Sequence, residues 1–297
     1  MSSKIILITG ASTGFGNLTA KLLAENGHSV YATMRDTNGR NKGQKDTLLE
    51  WAKSHQAYLK VVELDVTQDK SVEEAKSVIL SDTNGSIDVI INNAGIYGGG
   101  IQEAFTIEDH KAFFDVNVFG SVRVNNAFLP VLRKQSSGLI IQISSVLGRS
   151  IIPFGGVYDA TKWALEALSE NLAYELKPLG IDLAIVEPGA FLTELIHKQY
   201  QPTNQRVVSE YGETVNYMSG FFQTFTQMLS DPNIPNKPEQ VAEAILKLIE
   251  LPQGKRPLRT VVDKMMGGAT EIINETSRKV QSDILQNFGL NELNSNK

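Results

Sequence analysis

The chain alternates short apolar runs with longer stretches in which apolar residues recur every three or four positions. The first kind suits strands buried on both faces, and the second suits helices laid over them. Apolar runs at 4–9, 29–34, 58–64, 87–91, 139–143, 181–186 and 258–262 predict seven strands. Helical periodicity is expected after residue 16, where Leu18, Leu22 and Leu23 share a face, then over 42–54, 71–80 and 105–132, from 158 to about 177, and over 238–250 and 267–288. The 105–132 stretch is interrupted by Asn117 and Gly120, which leaves one irregular helix or two in succession. From 193 to 238 the periodicity weakens, and residues 291–297 read as disordered.

Regular alternation of strand and helix argues for an α/β fold with a doubly wound parallel sheet. No linker or repeat divides the chain, so residues 1–297 are expected to form one domain. A helical lid falls at about 191–237 and a C-terminal helical extension at about 264–297, the latter covering either the sheet or a partner subunit.

Composition narrows the function classes. With 28 Lys and Arg against 33 Asp and Glu, the net charge is −5, and no long basic block appears. Nucleic acid and anionic membrane surfaces are therefore disfavoured as partners. The absence of cysteine removes disulfides, thiolate nucleophiles and thiolate metal sites. His28, His55, His110 and His197 are scattered without ligand spacing, so no metal site is expected. No stretch approaches the ~20 apolar residues of a membrane span, and the apolar run after Lys4 is short for a signal peptide, so a cytoplasmic protein is expected.

The sequence TGASTGFG at 9–16 follows the first strand and opens the first helix. Glycines at Gly10, Gly14 and Gly16 let a backbone turn tightly beside a pyrophosphate, whose charge is met by amides at the helix start. In such folds the end of the second strand reads the adenosine ribose. An acid there hydrogen-bonds the 2′-hydroxyl of NAD, and an arginine accommodates the 2′-phosphate of NADP. Thr33 and Met34 carry no acid and Arg35 follows, with Arg40, Lys42 and Lys45 in the next loop, so NADP(H) is favoured. Asp36 also suits a ribose-binding acid by its distance from the glycines, which keeps NAD(H) open. After the fourth strand, Asn92-Asn93-Ala94-Gly95 combines amides able to brace loose backbone with residues small enough for close ligand approach.

Residues 144–162, SSVLGRSIIPFGGVYDATK, bring two hydroxyls and an ammonium to one place. Tyr158 and Lys162 are four residues apart, side by side on a helix face. A phenol with an ordinary pKa of about 10 is a poor base at neutral pH, and a neighbouring ammonium favours its phenolate. Ser145, at the strand end, could donate to the same substrate oxygen. The aromatic residues of 200–225 and the run Ile151-Ile152-Pro153-Phe154 suggest a pocket for an apolar or aryl carbonyl compound.

Taken together, TGASTGFG at 9–16, NNAG at 92–95, Asn117, Ser145, YDATK at 158–162 and PGAFLT at 188–193 resemble the short-chain dehydrogenase/reductases in order and spacing. The resemblance spans roughly residues 3–262, and VYATMRD with the tail is similar to the hydroxysteroid and retinol dehydrogenase subgroup. It implies an oxidoreductase interconverting a ketone or aldehyde and an alcohol, with Tyr158 as general acid or base and Lys162 lowering its pKa and holding the nicotinamide ribose. Ser145 would orient the carbonyl, with Ser144 in support, and Asn117 would hold a water leading from Lys162 to solvent. The cofactor would lie on Gly10, Ser12, Thr13, Gly14, Phe15 and Gly16, with Ser12 joining Arg35 at a 2′-phosphate. Asp65 and Val66 would stand near the adenine, Asn92 near its ribose with Ala94 and Gly95 beside it, and Pro188, Gly189 and Thr193 at the nicotinamide. A homodimer or homotetramer is implied. The competing expectation is a non-catalytic dinucleotide-binding sensor or scaffold on the same fold.

Overall fold

The computed structural model describes residues 3–294. Its chain order is β1 (Ile5–Ile8), α1 (Gly14–Glu25), β2 (Ser29–Met34), α2 (Lys42–Ser54), β3 (Leu59–Glu63), α3 (Asp69–Asp82), β4 (Val89–Asn92), α4 (Ile107–Phe114), α5 (Gly120–Gln135), β5 (Gly138–Ile143), α6 (Gly156–Leu176) and β6 (Ile181–Pro188). There follow α7 (Glu194–His197), α8 (Gln205–Glu210), α9 (Glu213–Leu229), α10 (Glu239–Glu250), β7 (Arg259–Val262) and α11 (Gly267–Asn287).

The seven strands form one sheet in the order β3-β2-β1-β4-β5-β6-β7. Every pairing is parallel, with Ile8 opposite Ala32 on one side and opposite Ile91 on the other. This is the doubly wound sheet that the alternation of elements predicts. Because side chains alternate across a strand, Ile6 and Ile8 enter one core with Leu23 of α1, Leu48 of α2 and Ile245 of α10. Leu7 enters the opposite core with Ile79 of α3, Phe128 of α5 and Leu176 of α6. Both faces are dry, which explains strands that read as continuous apolar runs. Each buried aliphatic side chain contributes about 1.5–3 kcal/mol.

The strand order reverses at β1, whose neighbours are β2 and β4. At this switch the loops leaving β1 and β4 diverge and open a crevice beyond the carboxyl ends of the strands.

Three local expectations are refined. The irregularity near Asn117 is a π-helical turn, Asp115–Phe119, joining α4 to α5. The weakly periodic stretch after residue 193 contains α7, α8 and α9, and in α9 only Leu229 is buried, so no continuous buried stripe was there to be read. Residues 291–294 are not disordered: Asn291–Leu293 is a 3₁₀ turn and Asn294 is buried, while the rest of that expectation lies outside the described residues. Among the described residues, no helix is long and apolar enough to cross a membrane.

Candidate active site

The crevice at the switch point is a continuous cavity of about 1140 Å³. Its floor is built by stitching the two diverging loops together. Thr9 Oγ1 accepts from the backbone amides of Asn93 (2.9 Å) and Ala94 (3.0 Å), and Asn93 Nδ2 donates to the carbonyls of Thr9 (2.8 Å) and Gly10 (3.1 Å). Gly10 has φ +66°, and a Cβ there would stand 2.8 Å from Ala94 Cα, so only glycine lets the loops meet.

Ser12, Thr13, Gly14 and Phe15 line the cavity where α1 begins. Thr13 occupies the N-cap position without a side-chain hydrogen bond, and the first turn carries no acid. The first amides of α1 thus lack a side-chain cap, and the end of the helix is electropositive. An anionic pyrophosphate fits this cradle. Gly16 does something else. It does not border the cavity, and a Cβ there would lie 2.5 Å from Asn93 Nδ2 and 2.6 Å from the Gly10 carbonyl, so this glycine serves the packing of α1 against the loops and not ligand contact.

At the end of β2, Arg35 and Arg40 both border the cavity, with Asp65, Val66 and Thr67 after β3. Asp36 does not. It sits at φ +52°, its amide donates to Glu63 Oε1 (2.5 Å), and its own Oδ2 accepts from the Arg40 amide (2.8 Å). The Asp36 carboxylate therefore closes its own turn. Asp65 Oδ1 likewise holds a turn, accepting from Thr67 N (2.9 Å) and Oγ1 (2.7 Å), yet stays on the cavity wall.

Of the two asparagines at the end of β4, Asn93 borders the cavity and Asn92 does not. Asn92 is buried, and its Nδ2 donates to Asn125 Oδ1 of α5 at 2.8 Å. Asn92 is expected near the adenosine ribose; it still belongs to the strand, and its side chain turns to the helix layer instead of the cavity. Ala94 and Gly95 border the cavity.

Ser144, Ser145, Tyr158 and Lys162 lie on the same cavity, as do Pro188, Gly189 and Thr193 from the end of β6. Ser145 is extended and caps a 3₁₀ turn: its Oγ accepts from Leu147 N (3.1 Å) and donates to the Pro188 carbonyl (3.4 Å). Tyr158 packs edge-on against Tyr97, ring centres 5.0 Å apart. Lys162 Nζ donates to the Ile143 carbonyl (2.9 Å) and lies 5.7 Å from the centre of the Tyr158 ring.

Electrostatics depart from the expectation of an acidified phenol. Burial pushes the Tyr158 hydroxyl well above its ordinary value, hydrogen bonding with Ser145 pulls it back, and Tyr97 and Asp159 push it up again. Burial also lowers Lys162 to about 8, opposed by Glu166. Desolvation is the largest influence on both groups.

Asn117 is fully buried and does not border the cavity. Its Nδ2 donates to the Ile96 carbonyl (2.9 Å) and to Thr161 Oγ1 (3.0 Å), and its Oδ1 accepts from the Ile96 amide (2.8 Å). Both amide hydrogens are committed to protein, so the side chain braces the loop after β4 against α6 where a water-holding position was expected.

Sequence reasoning missed the wall supplied by Asp263, Met265, Met266, Ala269, Thr270 and Ile273. Asp263 follows β7 directly, and the rule that ligands gather beyond the carboxyl ends of parallel strands is the signal that points to it. Tyr97 was missed as well; it borders the cavity, and burial pushes its hydroxyl up to about 12.

A parallel doubly wound sheet, a glycine cradle at its switch point and a tyrosine-lysine pair across the same cavity define an oxidoreductase that works with a nicotinamide dinucleotide on a carbonyl or alcohol group. The chain belongs to the short chain dehydrogenase family, whose model matches residues 4–204. It is 34% identical to a 3-ketodihydrosphingosine reductase of Bacteroides thetaiotaomicron over 98% of this chain and 97% of the relative. It is 33% identical to human 17-beta-hydroxysteroid dehydrogenase type 1 over 85% of this chain and 76% of the relative. Among solved structures, an alcohol dehydrogenase from Thermococcus sibiricus complexed with 5-hydroxy-NADP is similar at a TM-score of 0.68 and 26% identity, covering 89% of this chain and 97% of that one.

Proposed function

We propose that this enzyme is an NADP(H)-dependent carbonyl reductase, running also as an alcohol dehydrogenase, for an apolar or aryl substrate. The observation that carries the reading is the convergence of Tyr158, Lys162 and Ser145 with the glycine cradle of residues 10–15 on one cavity. When bound, the nicotinamide cofactor supplies or accepts the hydride. Tyr158 gives its phenolic proton to the carbonyl oxygen in reduction and takes it back in oxidation. Ser145 donates a hydrogen bond to that oxygen and holds the carbonyl in line with the phenol. Lys162, anchored on the Ile143 carbonyl, carries positive charge beside the phenol, and in this reading it also bonds the nicotinamide ribose. Because burial holds the Tyr158 proton tightly, the resting side chain is the acid that reduction needs.

Two features support NADP(H) over NAD(H). Arg35 and Arg40 border the same cavity as Ser12, and the carboxylate of Asp36 is consumed by its own turn. The apolar substrate class is supported by the lining from α9 and α11 and by the two relatives, one a 3-ketodihydrosphingosine reductase and the other a 17-beta-hydroxysteroid dehydrogenase. A homodimer or homotetramer is part of the same proposal, and sedimentation reads it directly.

The test is NADPH consumption with a panel of apolar and aryl ketones, by the wild type and Tyr158→Phe. Turnover by the wild type and its loss by about 10²–10⁴ in the variant, with NADPH binding retained, is the expected result. Binding of NADPH with no ketone consumed would instead make the protein a dinucleotide sensor or scaffold.

A further inference from the structure

The family match ends at residue 204, but part of the cavity wall comes from chain far beyond it: Met265, Met266, Ala269 and Ile273 at and before the start of α11. Of the 21 residues of α11, only Gly267, Thr270 and Leu285 are buried. A helix with so little apolar burial is not located by hydrophobic packing alone.

Polar contacts locate it instead. Asn274 Oδ1 accepts from Arg149 Nε (2.9 Å), and Asn274 Nδ2 donates to Glu187 Oε2 (2.5 Å). One turn further along, Ser277 Oγ accepts from Arg149 Nη2 (2.5 Å). A primary amide can accept from a guanidinium and donate to a carboxylate at once, which no aliphatic residue of its size can do. Neither partner borders the cavity, but each adjoins a residue that does: Arg149 directly precedes Ser150, and Glu187 directly precedes Pro188. Glu187 is fully buried and stands 3.5 Å from Arg259, which is paired in turn with Glu166 (2.9 Å) and Glu170 (2.7 Å). The anchor is therefore rigid on the side of the sheet. Ala269, Thr270 and Ile273 sit within five residues of Asn274 on the helix, so the amide holds the part of α11 that borders the cavity. Beyond α11, Asn294 accepts from Lys177 Nζ through its carbonyl and donates through Nδ2 to Ser282 Oγ of the helix (3.0 Å), so the far half of α11 is held separately.

We propose that Asn274 is a positioning residue for substrate selection: by tying Arg149 to Glu187 it sets α11 against the cavity and creates the preference for bulky apolar carbonyl compounds over small ones. The inference rests on the carbonyl-reductase reading for its substrate class. Asn274 itself does not border the cavity, and it acts through the residues beside it on the helix.

The experiment compares the wild type with Asn274→Leu and Arg149→Met, which cut the same contact from opposite sides, using decalone as the bulky ketone and cyclohexanone as the small one. Expected is a rise of about tenfold or more in KM for decalone in both variants, with kcat for both ketones and KM for cyclohexanone held within about twofold. An equal loss on both ketones, or an unchanged KM for decalone, overturns the proposal. Calorimetric titration of decalone into the same three proteins reads the effect without turnover. An affinity about tenfold weaker in the variants sustains the role of Asn274 even if no ketone is consumed, an outcome that would remove the reductase reading alone. No difference in affinity between wild type and variants sinks the role of Asn274 and leaves the reductase reading standing.

Discussion

Lys162 Nζ donates to the Ile143 carbonyl at 2.9 Å, and the same nitrogen stands 5.7 Å from the centre of the Tyr158 ring. The lysine is thus anchored to the end of β5 while its charge is presented beside the phenol. Both side chains are buried, and burial acts on them in opposite senses, raising the pKa of the acid and lowering that of the ammonium.

The pH dependence of the two reaction directions follows. With the Tyr158 phenol held above its ordinary value of 10.0, it stays protonated across neutral pH and serves reduction, whereas oxidation needs the phenolate. Steady-state kcat/KM for alcohol oxidation is expected to climb through pH 9, and that for ketone reduction to stay level between about pH 6 and pH 8. A level oxidation profile over the same range would contradict the assignment of Tyr158 as the base.

Stability should respond to Lys162 as well. Its folded value of about 8 lies below the ordinary lysine value of 10.5, so the unfolded chain binds more protons between those limits and stability rises with pH across them. The cost of the buried ammonium is fully present below pH 8 and relieved towards pH 10.5, and it amounts to about 3 kcal/mol at about 1.4 per pKa unit. Lys162→Met is therefore expected to be catalytically dead yet more stable than the wild type at pH 7, less the hydrogen bond to Ile143. Urea unfolding at several pH values should show the gain shrinking as pH approaches 10; a gain independent of pH would speak against a desolvated ammonium as its source.

At the adenosine end, Arg35→Ala should weaken NADPH binding by about ten- to a hundredfold, the worth of a charge-assisted pair, and leave NADH nearly unchanged. Arg40→Ala should act in the same direction. Fluorescence titration of both cofactors into the three proteins checks this, and equal affinity in every case would remove the 2′-phosphate site.

Asn117→Leu strands the amide and carbonyl of Ile96 and removes the hydrogen bond that the Thr161 hydroxyl accepts, while that hydroxyl keeps its own donation to the Tyr158 carbonyl. At about 1–3 kcal/mol for each group left unpaired, the two backbone groups of Ile96 imply a loss of about 2 kcal/mol or more in denaturant unfolding. Turnover should fall too, because Thr161 donates to the Tyr158 carbonyl at 2.7 Å and so links this brace to the catalytic turn of α6. A variant as stable as the wild type would leave the π-helical turn without the bracing role given to it here.

Much of this protein is written locally. Seven apolar runs, the glycine turn between β1 and α1, and a tyrosine and lysine four residues apart all depend on neighbours within one turn or one strand, so the order of elements and the acid-base pair are legible from sequence alone. What tertiary structure decided is whatever depends on which way a side chain leaves its element and on what surrounds it. One step along β4 separates a helix-facing Asn92 from a cavity-bordering Asn93, since adjacent residues of a strand point to opposite sides. The left-handed turn at Asp36 closes its carboxylate onto the Arg40 amide, a contact that spacing from the glycines could not reveal. The raised phenol of Tyr158 is a product of burial by chain segments distant in sequence. The place of α11 at the cavity was invisible for a related reason. With three buried residues in 21 it has no stripe to read, and its position is set by side chains of Arg149 and Glu187 from other elements of the chain.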